Sequence, residues 1–141
     1  MAEGLFRKAL GQREGWLVQS AGVSASVGSK ESRETAKVLR DRGADLSDFR
    51  SQQVSEALIL EADAVFAMTE GHLYALEDEF PDYSDRFYLL GDFVDDESFD
   101  GDVPDPIGLG TRAYEEVARV LESAFPGILC FLEAGESGAE K

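Results

Sequence analysis

With 141 residues and 43% hydrophobic composition, the chain has enough apolar side chains for one core and not for two. Its 13 basic against 29 acidic residues leave a net charge of -16, which repels nucleic acid and anionic lipid and opposes a phosphorylated substrate unless a local positive site overrides the field. One cysteine, Cys130, and one histidine, His72, exclude an internal disulfide framework and a Cys/His metal centre. No apolar run reaches membrane-spanning length and no basic-then-apolar leader is present, so a cytoplasmic protein is expected, with neither nucleic acid nor membrane as partner. A salt-adapted or merely solubilising surface accounts for the acidity without any acidic interaction role.

Residues 1–13 form the first expected helix, with Leu5, Phe6, Ala9 and Leu10 on one apolar stripe. That helix starts without a Ser, Thr, Asp or Asn cap. Trp16, Leu17 and Val18 read as a short buried strand that exits through Ser20, Ala21 and Gly22. Ser29 or Ser32 can cap a second helix carrying Ala36, Val38 and Leu39 and ending at Gly43. A short helix over residues 55–61 offers Ala57, Leu58 and Leu60 as inward positions. The apolar run 64–68 reads as a strand buried on both faces, after which Thr69 caps a helix using Leu73, Leu76 and Phe80 and closed by Pro81. Residues 87–90 make the next strand. An acidic stretch over 91–102, too long for a simple connector, leads into Asp102-Val103-Pro104-Asp105-Pro106-Ile107-Gly108. Thr111 caps a last helix with Tyr114, Val117, Ala118 and Leu121 inward, interrupted at Pro126-Gly127 and resumed over 128–132. Residues 1–132 make one domain, and 133–141 are expected as a disordered tail.

Helices alternating with short apolar strands mean a parallel sheet covered on both faces, whose ligands sit outside the carboxyl ends of the strands. Ser20, Thr69, Gly91 and the Asp105 loop all belong to that edge. Flanking prolines hold Asp105 on stiff, extended backbone, a setting that suits a general acid; the tetrapeptide by itself equally reads as a surface turn.

Four segments in register carry a resemblance: Met-Ala-Glu-Gly-Leu-Phe-Arg at 1–7, Ser-Ala-Gly at 20–22, Glu-Ala-Asp-Ala-Val-Phe-Ala-Met-Thr at 61–69 and Asp-Pro-Ile-Gly at 105–108. Together they resemble the low-molecular-weight protein-tyrosine phosphatase family over nearly the whole chain. Ser51-Gln52-Gln53-Val54 and the Asp105 loop look most like its bacterial branch that includes protein-arginine phosphatases.

The resemblance implies an α/β fold, a three-layer doubly wound parallel sheet of the phosphotyrosine protein phosphatase I-like kind, and hydrolysis of phosphotyrosine or phosphoarginine in proteins without a cofactor. It makes Asp105 the general acid and puts Ser20 and Ile107 at the substrate. Family members carry a buried strand and a Cys-x-x-x-x-x-Arg-Ser-Pro loop immediately before the segment that here starts at Met1, and this sequence has neither. In the family mechanism that Cys thiolate attacks phosphorus, and the thiophosphate is then hydrolysed. The expectation is therefore a homologue cut short at its N-terminus, with the central strand missing, and silent as given. A phosphorylated protein would be its substrate once the loop is restored.

Cys130, between Leu129 and Phe131 in an apolar segment, is expected to be structural, and His72 to be solvated or at a helix end. Phe49 stands where relatives often have a histidine, and Ile107 where tyrosine-specific relatives carry an aromatic, which makes phosphotyrosine the less natural ligand. The alternative is a non-catalytic acidic binding module derived from the family. Receiver-like or flavodoxin-like domains lack support at Ser20-Ala21-Gly22, and arsenate reductases need more cysteines. The fold prediction is a slot beside the strand at 64–68, lined by the first and last helices, or displacement of residues 16–20.

Overall fold

A computed structural model of the chain describes residues 1–11, 16–22, 33–44, 52–94, 99, 101–104 and 109–137. Helix α1 covers Ala2–Leu10, shorter than expected, because Gly11 turns the chain out at φ 61° while its amide donates to the Arg7 and Lys8 carbonyls. Met1 gives it no side-chain cap, as the sequence indicated. Residues 16–20 are a correction: they are extended but join no ladder among the described residues. Burial there alternates residue by residue, with Leu17 78% exposed, so one face of the segment looks to solvent. Two of its carbonyls take side-chain donors, Val18 from Arg7 at 3.2 Å and Ser20 from Gln52 at 2.9 Å. Backbone pairing begins only at Gly22, bridged in parallel to Gln53.

Helix α2 covers Arg33–Asp41 and ends in a Schellman motif. Gly43, at φ 72°, donates to the Arg40 carbonyl, and Ala44 donates back to Leu39 at 2.8 Å. The proposed caps Ser29 and Ser32, like Phe49, lie outside the described residues. Helix α3, Glu56–Glu61, is capped by Ser55, whose hydroxyl accepts from the Leu58 amide. Its inward residue is Ile59 rather than Ala57, Leu58 or Leu60; Leu60 is 60% exposed.

Strand β1, Val65–Ala67, leads through Thr69 into α4, Glu70–Glu79. Pro81 closes α4 by opening a 3-10 turn over Pro81–Arg86, and β2, Phe87–Leu89, follows. The two strands pair in parallel, Val65 with Phe87, Phe66 with Tyr88 and Ala67 with Leu89, so β1, α4 and β2 form one crossover unit. Side chains alternate across this sheet. Ala67 and Phe87 pack with Ile59 and Leu76 on the α3–α4 side. Phe66 packs on the opposite cluster, where α1, α2 and α5 meet. Helices thus cover both faces, and among the described residues the sheet has two strands.

Helix α5 runs through Thr111–Ser137 without a break, which corrects the interruption expected at Pro126-Gly127. Proline inside a helix costs ~3 kcal/mol against alanine. Here Pro126 points to solvent while Ala124, Phe125 and Ile128 are buried in the large core, and that packing holds both halves in line. The helix takes in residues 133–137 of the expected tail; 138–141 lie outside the described residues. Thr111 is the first helical residue, not the cap: the Gly110 carbonyl accepts from the Ala113 and Tyr114 amides. Leu5, Tyr114, Val117 and Leu121, expected to line a slot, are all buried in the one cluster.

Candidate active site

Both strands end on the same short segment. From β1, the Met68 carbonyl accepts from the Val103 amide at 2.9 Å. The hydroxyl of Thr69 accepts from the His72 amide, while the Glu70 amide donates to Asp102 Oδ1 at 2.9 Å. From β2, the chain turns through a 3-10 segment, Leu90–Phe93, in which Gly91 lies against the backbone of Gly101. Val103 itself is buried in the large cluster beside Leu90. Residues 101–104 therefore form a strap across the carboxyl ends of β1 and β2, the edge at which ligands of parallel sheets sit. Asp105 is the next residue along the chain, though Asp105 and Ile107 themselves lie outside the described residues.

Ser20 sits at another attachment. Its hydroxyl donates to Glu3 Oε1 at 2.6 Å, and the other oxygen of that carboxylate pairs with Arg7 at 2.7 Å. Glu3 is buried, and Arg7 also reaches the Val18 carbonyl, so one carboxylate and one guanidinium tie residues 18–20 to α1. The i,i+4 spacing of Glu3 and Arg7 was visible in the sequence. That the pair faces inward was not, because only the packing of α1 decides which flank of the helix is covered. The core anchors Ser20 and the strap together, through Leu5 of α1 and Val103.

His72 is exposed at the start of α4, where a helix-end role was expected. Cys130 corrects the expectation of a packed thiol: it is exposed on α5, while its neighbour Phe131 joins a ring of four aromatics with Phe66, Tyr88 and Phe93 at centroid distances of 5.0–5.6 Å. Among the described residues no group of three or more His, Cys, Asp or Glu side chains could hold a metal ion, and no helix is long and apolar enough to cross a membrane.

The family model for low molecular weight phosphotyrosine protein phosphatases matches residues 1–137. The chain belongs to that family. A protein-arginine-phosphatase of Geobacillus stearothermophilus is 36% identical over 112 residues, 79% of this chain and 74% of the relative. One from Bacillus subtilis is 35% identical over 124 residues, 86% of this chain and 80% of the relative. The solved arginine phosphatase of Geobacillus stearothermophilus superposes with a TM-score of 0.85 at 30% identity, covering 99% of this chain and 88% of that one. A protein tyrosine phosphatase from Entamoeba histolytica gives 0.86 at 26% identity, over 96% and 88%. Those matches extend the phosphatase fold to nearly the whole of this chain.

Two features of this phosphatase homologue went unread in the sequence. Asp102 looked like one more acid in an acidic run; its tie to Glu70 spans 32 residues and exists only in the fold. The acidity is also lopsided. Residues 51–111 hold 16 of the 29 acidic side chains and only one, Arg86, of the 13 basic ones. Arg86 is turned inward, its guanidinium donating to the Ile59, Leu60 and Ala62 carbonyls.

Proposed function

We propose that this chain supplies the general acid in a phosphatase reaction that removes phosphoryl groups from protein side chains, phosphoarginine before phosphotyrosine, in the cytoplasm. In that reaction a cysteine thiolate attacks phosphorus, Asp105 protonates the departing nitrogen or oxygen, and water then cleaves the thiophosphate. Ser20 and Ile107 flank the substrate, and Ile107, standing where an aromatic would pack on a phenyl ring, makes phosphotyrosine the less natural ligand. The names of the arginine phosphatases of Geobacillus and Bacillus favour the same substrate. The observation that carries the reading is the strap: Asp102 and Val103, the two residues before Pro104-Asp105, are bonded to the carboxyl end of β1 and the turn that follows it.

The nucleophile must come from a Cys-x-x-x-x-x-Arg segment, and these residues contain none. The one thiol, Cys130, is exposed on α5, and the sixth residue after it is Glu136. The edge of β1 opposite β2 carries no strand among the described residues, which suits a reading in which a strand bearing that loop belongs there. The 141-residue polypeptide is accordingly silent on aryl phosphates and on phosphoarginine, and Cys130→Ser changes nothing. A strand and Cys-x-x-x-x-x-Arg-Ser-Pro loop grafted ahead of Met1 confers turnover, which Asp105→Asn lowers by ~10²-fold or more on substrates with poor leaving groups. Turnover by the ungrafted chain that Cys130→Ser abolishes would overturn this assignment.

The charge partition favours a second reading, an acidic binding module that holds basic protein segments without chemistry. It predicts that the 141-residue chain binds polylysine with an affinity that falls steeply as salt is raised. Absence of binding at low salt removes it.

A further inference from the structure

The amino end of α4 presents amides without intrahelical partners, and they are satisfied in two different ways. Thr69, the local cap, takes the His72 amide at 3.1 Å. The Glu70 amide goes instead to a carboxylate 32 residues away, on Asp102. Helix capping alone requires no such reach, since Thr69 already supplies an N-cap. What the distant carboxylate adds is a fixed relation between the β1–α4 turn and the strap.

Each residue of the strap has its own attachment. Gly101, at φ 104°, lies against Gly91. Asp102 bonds Glu70, and Val103 bonds Met68 while its side chain is buried in the core. Pro104 then fixes φ for the step into Asp105. Val103 and the Gly101 contact hold the strap down on β1 and on the turn after β2. Asp102 adds a tie to the turn after β1, with a charge-assisted bond at the positive end of a helix dipole. We infer that Asp102 is a positioning residue: its carboxylate, held by the Glu70 amide, sets the direction in which the strap, residues 101–104, crosses the carboxyl end of β1 on the way to Asp105. The catalytic consequence rests on the proposed role of Asp105; the placement of the strap does not.

Amide hydrogen exchange on the 141-residue chain tests this without any turnover. Asp102→Ala should speed exchange of the Val103 amide about tenfold or more, leaving the α1 and α5 amides at their native rates. Asp102→Asn, which keeps an acceptor oxygen, should restore most of the protection. Thr69→Ala removes a bond from the same helix end; it should speed the His72 amide and leave Val103 unchanged. A native rate at Val103 in Asp102→Ala, or equal acceleration there by Thr69→Ala, would overturn the inference. If Asp102→Ala does not fold, Asp102→Glu decides. The longer arm should shift the Glu70 and Val103 amide resonances together while α1 and α5 keep theirs, and an unshifted Val103 resonance refutes the role.

Discussion

Gly91 and Gly101 meet backbone to backbone: a methyl carbon on Gly91 would stand 2.0 Å from the Gly101 carbonyl oxygen. Nothing flexible can yield there, because the obstacle is main chain that Val103 anchors in the core two residues on. Gly91→Ala is therefore expected to cost ~1–3 kcal/mol in urea denaturation. Gly71, inside α4 with only Thr69 Oγ1 at 3.7 Å, serves as the control. Gly71→Ala should be neutral or stabilising by up to ~1 kcal/mol, since alanine is the better helix former. A Gly91→Ala protein as stable as the wild type would mean that the strap does not press on the end of β2.

Adjacent residues of α5 should respond with opposite sign. Pro126 is exposed and withholds an amide from the helix ladder, so Pro126→Ala should stabilise by ~1–3 kcal/mol. Gly127 faces the Leu90–Phe93 turn, where an added methyl carbon would lie 3.3 Å from the Phe93 carbonyl oxygen. Gly127→Ala should thus forfeit the ~1 kcal/mol that helix propensity alone promises, and end at or below wild-type stability. Denaturation midpoints of the two variants decide the point, and a gain at Gly127 matching that at Pro126 would contradict it.

Arg86 closes α3 from a distance. Its Nη1 donates to the Ile59, Leu60 and Ala62 carbonyls at 2.9, 3.2 and 3.1 Å, and its guanidinium lies 5.2 Å from the Tyr83 ring centroid. A cation at the negative end of so short a helix replaces the capping that its sequence does not provide. Arg86→Met should cost about 1–2 kcal/mol and expose the α3 amides to exchange before those of α5. A loss below about 0.5 kcal/mol, the level of an ordinary surface substitution, would show the three carbonyls to be equally well served by water.

The Tyr83 hydroxyl donates to Glu56 Oε2 at 3.1 Å, and this bond, with some desolvation, raises its pKa above the usual tyrosine value. A raised folded pKa means that the folded state holds the proton longer. The contribution is complete below the unfolded value of about 10 and is lost as pH rises through the folded one. An absorbance titration of tyrosinate should show a late component that is absent in Tyr83→Phe and earlier in Glu56→Ala. Curves for wild type and Tyr83→Phe that differ only in amplitude at every pH would rule the bond out.

Local physics made much of the molecule legible before any coordinates. Apolar spacing marked the helices, Thr69 announced its cap, Gly43 the end of α2, and the runs around Val65 and Phe87 the two paired strands. These depend on residues a few positions apart, which sequence displays directly. The resemblance that named the family rested on four short segments in register, which the family match over residues 1–137 bears out.

Tertiary packing decided the rest, because the deciding partner lies far along the chain. Trp16, Leu17 and Val18 have strand-like composition, yet among the described residues they join no ladder, and the Arg7 and Gln52 side chains take the Val18 and Ser20 carbonyls. Pro126 should break a helix by its own chemistry, but Phe125 and Ile128, buried on the other flank, outweigh it. Asp102 is indistinguishable in sequence from its acidic neighbours; a hydrogen bond across 32 residues makes it part of the strap, and only a folded sheet brings its two ends within 2.9 Å.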